Sequence, residues 1–465
     1  VLLLAFLIPV SWLAYKQLGN PMAPAVYGEQ ISKIAELETQ LLDSAAEHQV
    51  VQAYLRRAKE MEARLQDVEG ALERERELGR ERIRQLRAQN ADVGLIVSAS
   101  RELAALPRDV ASARERWTRE MHENYERAKP LGGLPPHSQA YAGDPDGTPE
   151  EQREYELARR NFLALMFCLM VGTAGLPHLL TRYYTSPTVA GARASVAWSL
   201  FFIALLYLSA PALAVLVKFE VMQNLVGSSF EALPNWMAQW ARVDSSLLSI
   251  EDVNGDGIVQ FGEIRLGADL IMLATPELGG LPYVVSGLVA AGGLAAALST
   301  ADGLLLTISN ALVRDLYFRG TKRDASPEQR VILTKFTLLT VALSAAFVAA
   351  LKPSEILTMV SASFSLAASA FVPVMVMGIF WRGTTRKGAV AGMLAGLGVA
   401  VYYLLSHVPA VRAALPGWLL ADGLWFGIQP ISAGVFGVPA GFVAAAVVSR
   451  ITRPAPVPTG VRLEI

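Results

Sequence analysis

The sequence predicts an all-α polytopic membrane protein with a long helical insert outside the bilayer. Three observations carry that prediction. Almost everything after residue 160 is apolar and falls into blocks of about 20 residues, the length needed to cross a hydrocarbon core of about 30 Å. Residues 15–160 are instead charged and helical in character. Within the apolar part, the string GGLAAALSTADGLLLTISNALVRDLY at 292–317 carries Ser299, Thr300 and Asp302. Such groups are costly in hydrocarbon and are usually retained where they line an ion or solute path. The total of 52% hydrophobic residues would also suit a soluble protein, so the distribution decides. A net charge of −1 argues against a nucleic-acid partner, and the single cysteine, Cys168, leaves no disulfide framework.

Eight spans are expected, at about 1–14, 161–180, 194–217, 283–312, 331–351, 355–380, 388–406 and 426–449. The chain opens in a hydrophobic run, VLLLAFLIPVSWLAY, without the basic start or small-residue cleavage site of a signal peptide. It reads as the tail of a membrane helix that begins upstream, so an N-terminally truncated chain is expected. Thr148, Pro149 and Glu151 form a capping box with proline at the first helical position, which starts the helix feeding the second span. Ser326, Pro327 and Gln329 repeat the device before the fifth.

Charge on short loops sets the orientation. Arg182 and Arg193, then Arg314, Arg319, Lys322, Arg323 and Arg330, then Arg382, Arg386 and Lys387, then Arg450 and Arg453 form the basic set. These segments alternate with 218–282 and 407–425, which are acidic or neutral, and with 352–354, whose one charge is Lys352. The basic set is therefore expected in the cytoplasm. The organisation that follows is a first span at 1–14, an outward insert at 15–160, spans two and three in 161–217, an outward loop at 218–282, spans four to eight in 283–449, and a cytoplasmic tail at 450–465.

In the insert, Ile34, Leu37, Leu41, Ala45, His48, Val51, Leu55, Ala58, Leu65, Val68 and Leu72 recur at three- and four-residue steps, the signature of a coiled coil. Gly70 and Gly79 weaken it, Pro107 interrupts a second helical stretch, and 130–146 is loop. A solvated helical hairpin fits this pattern. So does a docking surface for a partner or a second copy, with self-association through 30–128.

The segment DVNGDGIVQFGE at 252–263 fits an EF-hand calcium loop position by position. Asp252, Asn254 and Asp256 would give side-chain oxygens, Ile258 its carbonyl, Gln260 an oxygen directly or through water, and Glu263 both carboxylate oxygens. Gly257 allows the sharp turn. The alternative is an Asx-rich surface turn. A lone outward loop suits a structural calcium ion better than a sensor.

The Ser299–Thr300 pair is weak alone, since membrane hydroxyls mostly bond back to their own helix. Helical geometry places Ser299, Asp302 and Ser309 on one face and Thr300 and Thr307 on the next, a stripe that must look away from lipid. Asp302 could coordinate indirectly, relay a proton, or bond a neighbouring helix. His178 suits a packing group better than a ligand. Ser361, Ser363 and Ser365 could line a pathway or permit close packing.

Three strings together, ALSTADGLLLTISNALVRDLY, GTAGLPHLLTRYY at 172–184 and FWRGTTRKGAVAGMLAGL at 380–397, resemble the sodium:solute symporter family, with closest likeness to its acetate/monocarboxylate permease branch. The likeness covers about 160–450. The insert and the calcium-type loop depart from that branch.

The resemblance implies a leucine-transporter-like fold of two inverted five-helix repeats. The first span would then be the last helix of the first repeat, spans two to six the second repeat, and spans seven and eight peripheral. Gly172, Thr173, Ala174, Gly175 and Pro177 would fall where the second repeat's broken helix unwinds, lining a path for a carboxylate substrate with Asp302. Two glycines and a proline within six positions agree with this, though a kink that only shapes packing would look the same. By the same resemblance, Ser299 and Thr300 match the paired sodium-binding hydroxyls and Ala296 the residue that offers a carbonyl.

The function so implied is sodium-coupled symport of a small organic anion, a monocarboxylate such as acetate, across a bacterial inner (plasma) membrane. Sodium would be the coupling ion, calcium a structural one, and the lipid bilayer the surroundings; no covalent catalysis is implied. Proton coupling or a different substrate on the same fold is one alternative. A transporter-like receptor acting through the insert is another, disfavoured by the short Pro-rich tail.

Overall fold

The computed structural model describes residues 2–89, 91–137, 139–178, 187–318, 326–351, 356–408, 411–412, 415–421 and 423–452. Arg182, Arg319, Lys322, Arg323, Arg453 and the 352–354 loop, used above for orientation, lie outside these residues.

The described chain is almost wholly helical. In order it runs α1 (Leu2–Leu18), α2 (Gly28–Leu42), α3 (Ala45–Gln66), α4 (Val68–Ala88), α5 (Val93–Ala104), α6 (Val110–Arg127), α7 (Pro149–Gly175), α8 (Val189–Asn224) and α9 (Asn235–Val243). A small hairpin of β1 (Leu248–Ile250) and β2 (Ile264–Leu266) follows, then α10 (Ala268–Leu278), α11 (Tyr283–Asn310), α12 (Pro327–Ala350), α13 (Ile356–Phe380), α14 (Arg386–Leu405) and α15 (Gly434–Ile451).

Seven helical segments among the described residues are long and apolar enough to cross a membrane, counting α11 with its π-helical extension Ala311–Phe318 as one. The remaining expected span, 1–14, is the 17-residue α1. The last span begins later than hydropathy suggested. Residues 425–432 hold two 3₁₀ turns, Trp425–Gly427 and Pro430–Ser432, before α15 starts. Both capping boxes form: Thr148 N donates to Glu151 Oε2 at 2.7 Å, and Gln329 N donates to Ser326 Oγ at 3.3 Å.

The chain divides into two compact units, and the division falls inside α8 and α11. The first unit comprises Leu3–Ala140 and Leu206–Ala290. The insert and the 218–282 loop, separate in the sequence, share its core. Ile34 and Leu131 of the insert, Val215 and Met222 of α8, and Phe261 of the calcium-type loop form one buried cluster. Two buried carboxylates bolt α8 to the insert and to α1. Glu38 accepts from Lys218 and from the His137 amide, with both oxygens 3.0 Å from that nitrogen. Glu220 accepts from Lys16 at 2.6 Å, Gln17 at 2.9 Å and Asn224 at 2.7 Å.

The apolar stripe from Ile34 to Leu72 is not one continuous coiled coil. Asp43 and Ser44, and then Asp67, interrupt it and divide it among α2, α3 and α4. At Asp67 the short polar side chain competes for a backbone group and favours a helix end: its Oδ1 accepts from Gly70 N at 3.0 Å. The chain folds back instead. α3 pairs with α6 in antiparallel fashion, Arg127 donating to the Tyr54 hydroxyl at 2.9 Å and Arg64 lying over the Trp117 ring. α4 pairs with α5, where Arg82 meets Glu102 at 3.0 Å.

The second unit comprises Tyr141–Leu205 and Ala291–Ile465. Its packed centre is α7, α13, α14 and α15. Small residues allow these backbones to approach closely, as membrane helices require when no hydrophobic force drives them together. Gly396 makes the tightest approach to a backbone atom: a β-carbon there would strike the Ser369 carbonyl of α13 and lie 3.0 Å from the Gly437 oxygen of α15. Tyr403 closes one end of this packing, donating to the Ile428 carbonyl at 2.6 Å and accepting from Trp425 N at 3.0 Å.

Candidate ion and solute site, and the calcium-type loop

Ser299 and Thr300 lie on α11, an unbroken helix at this point, and both are exposed in this chain. Thr300 Oγ1 donates to the Ala296 carbonyl at 3.1 Å. Two of the oxygens singled out in the sequence are therefore adjacent, and Ser299 stands beside them. Asp302 is exposed one turn on, Thr307 bonds back to Gly303 at 2.7 Å, and Ser309 is buried with no partner for its hydroxyl among the described residues.

The helix α7 ends at Gly175, and Leu176 is extended, with φ −68° and ψ 117°. Pro177 and His178 follow in helical conformation. The chain thus breaks where two glycines and a proline converge. Packing accounts for the glycines as well. A β-carbon on Gly172 would lie 2.6 Å from the Phe364 oxygen, and one on Gly175 2.9 Å from the Ala367 oxygen. Both positions let α7 lie against α13. Thr173 is exposed, and its hydroxyl is returned to Leu169 at 2.7 Å. The structure does not bring the Ser299–Thr300 patch onto this break: α11 is not among the helices packed closely with α7.

The serines of α13 have structural partners. Ser361 and Ser363 bond back to Leu357 and Met359 at 2.7 and 2.9 Å, and Ser365 reaches the Ile431 carbonyl at 2.5 Å.

In the first unit, the 252–263 loop is clasped at its base by the β1–β2 hairpin, Ile250 opposite Ile264. Asp252 accepts from Gly255 N at 2.6 Å and Gly257 N at 3.0 Å, Asn254 from Asp256 N at 3.0 Å, and Asp256 from Ile258 N at 2.8 Å. Gly257 has φ +73°, a left-handed conformation that only glycine adopts freely. Glu263 is buried, receiving Val253 N at 2.7 Å and Gln260 N at 3.1 Å, and burial pushes its carboxyl above the ordinary range. Gln260 donates to Asp256 at 2.7 Å. The backbone has the turns a calcium loop needs. The carboxylates, however, are engaged with the loop's own amides, and among the described residues no three His, Cys, Asp or Glu side chains gather as a metal site.

Sequence reasoning missed what holds this loop. EF-hand loops usually pair, and only one was visible. Residues 227–229 take the pairing place: Val259 N donates to Ser228 O and Gly227 N to Val259 O, both at 2.8 Å. Glu47 of α3 accepts from Phe261 N at 2.5 Å and Gly262 N at 3.2 Å, and burial raises its carboxyl too. Glu47 precedes Phe261 by more than two hundred residues, so no local pattern could have paired them.

Long apolar helices, close small-residue packing and a polar stripe on α11 define a multi-pass membrane protein. Residues 273–396 match the model of the sodium:solute symporter family. The chain is 48% identical over 459 residues to an uncharacterized symporter of Cupriavidus necator, covering 98% of this chain and 65% of that protein. It is 28% identical over 301 residues to a monocarboxylic acid transporter of Corynebacterium glutamicum, 63% of this chain and 47% of that protein. A shorter stretch of 149 residues is 33% identical to a high-affinity proline transporter of Bacillus subtilis, 30% of this chain and 32% of that one. The likeness of the chain is thus to the sodium:solute symporter family. The chain spans less than two thirds of the length of these relatives.

Proposed function

We propose that this chain is part of a sodium-coupled symporter for a small organic anion, a monocarboxylate such as acetate. The observation that carries it is the patch on α11, where the Thr300 hydroxyl reaches the Ala296 carbonyl and Ser299 is the preceding residue, inside the segment that matches the family. A hard monovalent cation favours such neutral oxygens. The relative named as a monocarboxylic acid transporter supports the substrate class. In a leucine-transporter-like arrangement, the break at Leu176 would free backbone groups of Gly172, Thr173, Gly175 and Pro177 for the solute. The end of a half-helix suits a carboxylate.

The 15–160 insert and the 218–282 loop would face outward, as the charge on the short loops implies. A structural calcium ion on Asp252, Asn254, Asp256, Ile258, Gln260 and Glu263 would draw the carboxylates inward from their amide partners. The exposed Val93, Leu95 and Val97 of α5 support self-association through the insert. Asp302, exposed on the stripe, favours proton coupling as the second possibility.

The test is solute uptake by the full-length protein in proteoliposomes, under imposed sodium and pH gradients. Ser299→Ala with Thr300→Ala should abolish sodium-stimulated uptake while leaving expression intact. Uptake that kept its sodium dependence in the double variant would sink the assignment. Uptake driven by pH alone and lost in Asp302→Asn would establish the proton-coupled alternative.

A further inference from the structure

Charged side chains crowd α4, and the rest of the insert partners only some of them. Arg74 pairs with Asp67 at 3.4 Å, Glu75 with Arg64, and Arg82 with Glu102 at 3.0 Å. Arg76 donates to the Pro107 carbonyl at 2.7 Å and the Arg108 carbonyl at 2.9 Å. Glu69, Glu73, Glu77, Arg80, Arg84 and Arg87 are all exposed, and their side chains have no hydrogen-bond or ion-pair partner among the described residues. They recur at steps of four and three residues. At 3.6 residues per turn they share about 80° of arc along about 27 Å of helix. The packed side of α4 is turned away from them: Val68, Ala71 and Leu72 lie with Trp117, and a β-carbon on Gly79 would lie 2.9 Å from Leu103.

The order of signs along this stripe has no explanation within one chain. Its N-terminal half is acidic and its C-terminal half basic. Glu69 and Glu73, Glu73 and Glu77, Arg80 and Arg84, and Arg84 and Arg87 set like charges at helical contact spacing, which destabilises a helix. Only Glu77 and Arg80, at the junction, set opposite signs side by side. Glu81, also unpaired, flanks the middle of the stripe.

An anionic membrane would be repelled by the acidic half, and a cationic partner by the basic half. A surface with the reverse order of charge is required, and this helix laid antiparallel on itself supplies it. With a two-fold axis beside Leu78 and Gly79, Glu73 faces the partner's Arg84, Glu77 the partner's Arg80 and Glu69 the partner's Arg87. Symmetry repeats each of these pairs, as a self-complementary interface demands.

We infer that the insert self-associates through this face of α4, two copies pairing antiparallel about a two-fold axis. The inference rests on the self-association proposed above and assigns its surface. Exposed ion pairs are individually weak and are screened by salt, so the association is salt-sensitive. The charge order fixes register and partner more than it adds strength.

The test is size-exclusion chromatography with light scattering on the full chain in detergent micelles, over a protein dilution series at 50 and 500 mM sodium chloride. Dimers are expected at low salt, with association at least tenfold weaker at high salt. One variant carries Glu69→Lys, Glu73→Lys and Glu77→Lys; a second carries Arg80→Glu, Arg84→Glu and Arg87→Glu. Each alone should associate at least tenfold more weakly than the unchanged chain. An equimolar mixture of the two should dimerise again, because an all-basic stripe then meets an all-acidic one, a recovery that misfolded chains would not show. Should a triple variant fail to fold, Glu77→Lys should weaken association severalfold, and Glu77→Lys with Arg80→Glu should restore it by remaking the same pair with its signs exchanged. Dimers indifferent to salt, variants that dimerise as the unchanged chain does, or a mixture that stays monomeric would overturn this face as the interface and leave self-association standing. A chain monomeric at both salt concentrations would overturn both.

Discussion

Glu38→Ala should loosen the insert more than any surface change. Glu38 is 3% exposed, and its carboxylate accepts from Lys218 and from the His137 amide. Removing it leaves a buried ammonium and a buried amide without their acceptor. Breaking a buried pair from one side costs about 3–5 kcal/mol. The Lys218 side chain retains 14% exposure and some access to water, so the lower end applies, about 3 kcal/mol. At about 1.4 kcal/mol per tenfold, α2 amides and the 130–137 segment should exchange hydrogen on the order of a hundredfold faster. Hydrogen–deuterium exchange with mass spectrometry on the full chain reads this peptide by peptide. A rescue separates charge from packing: Glu38→Leu with Lys218→Met replaces the pair by apolar side chains and should recover most of the protection, since such swaps are often near neutral. An exchange change under about threefold in the single variant, or a double variant as open as the single, would refute the claim that this pair anchors the insert.

Three further outcomes are expected. Calcium at 10 mM, against a dissociation constant of about 10⁻⁴–10⁻³ M, should stabilise the first unit by about 1.4–2.7 kcal/mol, magnesium less. Glu263→Gln should remove most of that gain, and a calorimetric blank at this concentration would reduce the loop to an Asx-rich turn. Gly396→Ala should lower the thermal stability of the second unit by about 1–3 kcal/mol through overpacking against α13 and α15; Gly398→Ala, whose β-carbon would meet nothing within 4 Å, should be nearly silent, and equal effects would contradict the close approach. Burial and Lys218 hold His137 below the ordinary imidazole value of 6.5. The unfolded chain therefore binds that proton first, so stability present above pH 6.5 is lost as pH falls through this range, and His137→Gln should flatten the decline in a melting series from pH 7.5 to 5.

The sequence by itself determined the class of fold, the approximate places of the spans, both capping boxes and the break near Gly175. Each is a local property: apolar runs, a hydroxyl three residues before a glutamate or glutamine, glycines and a proline within one turn. It also determined the turns of the 252–263 loop, because Gly257 and the Asx residues build them from their own neighbours. Where continuity was the question, local pattern failed. The Ile34–Leu72 stripe has coiled-coil spacing, yet the helix ends at Asp43 and Ser44 and again at Asp67, whose carboxylate takes the Gly70 amide, and the chain turns back on itself.

Only the tertiary structure decided that the insert and the calcium-type loop are one unit. Glu47 with Phe261, Glu38 with Lys218, and Lys16 with Glu220 join residues about two hundred positions apart. Whether a carboxylate ends up saturated like Glu220 or with one oxygen unpartnered like Glu277 depends on which donors the fold delivers to it. Hydrogen bonds and desolvation act over a few ångströms of space, and distance along the chain does not specify which groups come that close.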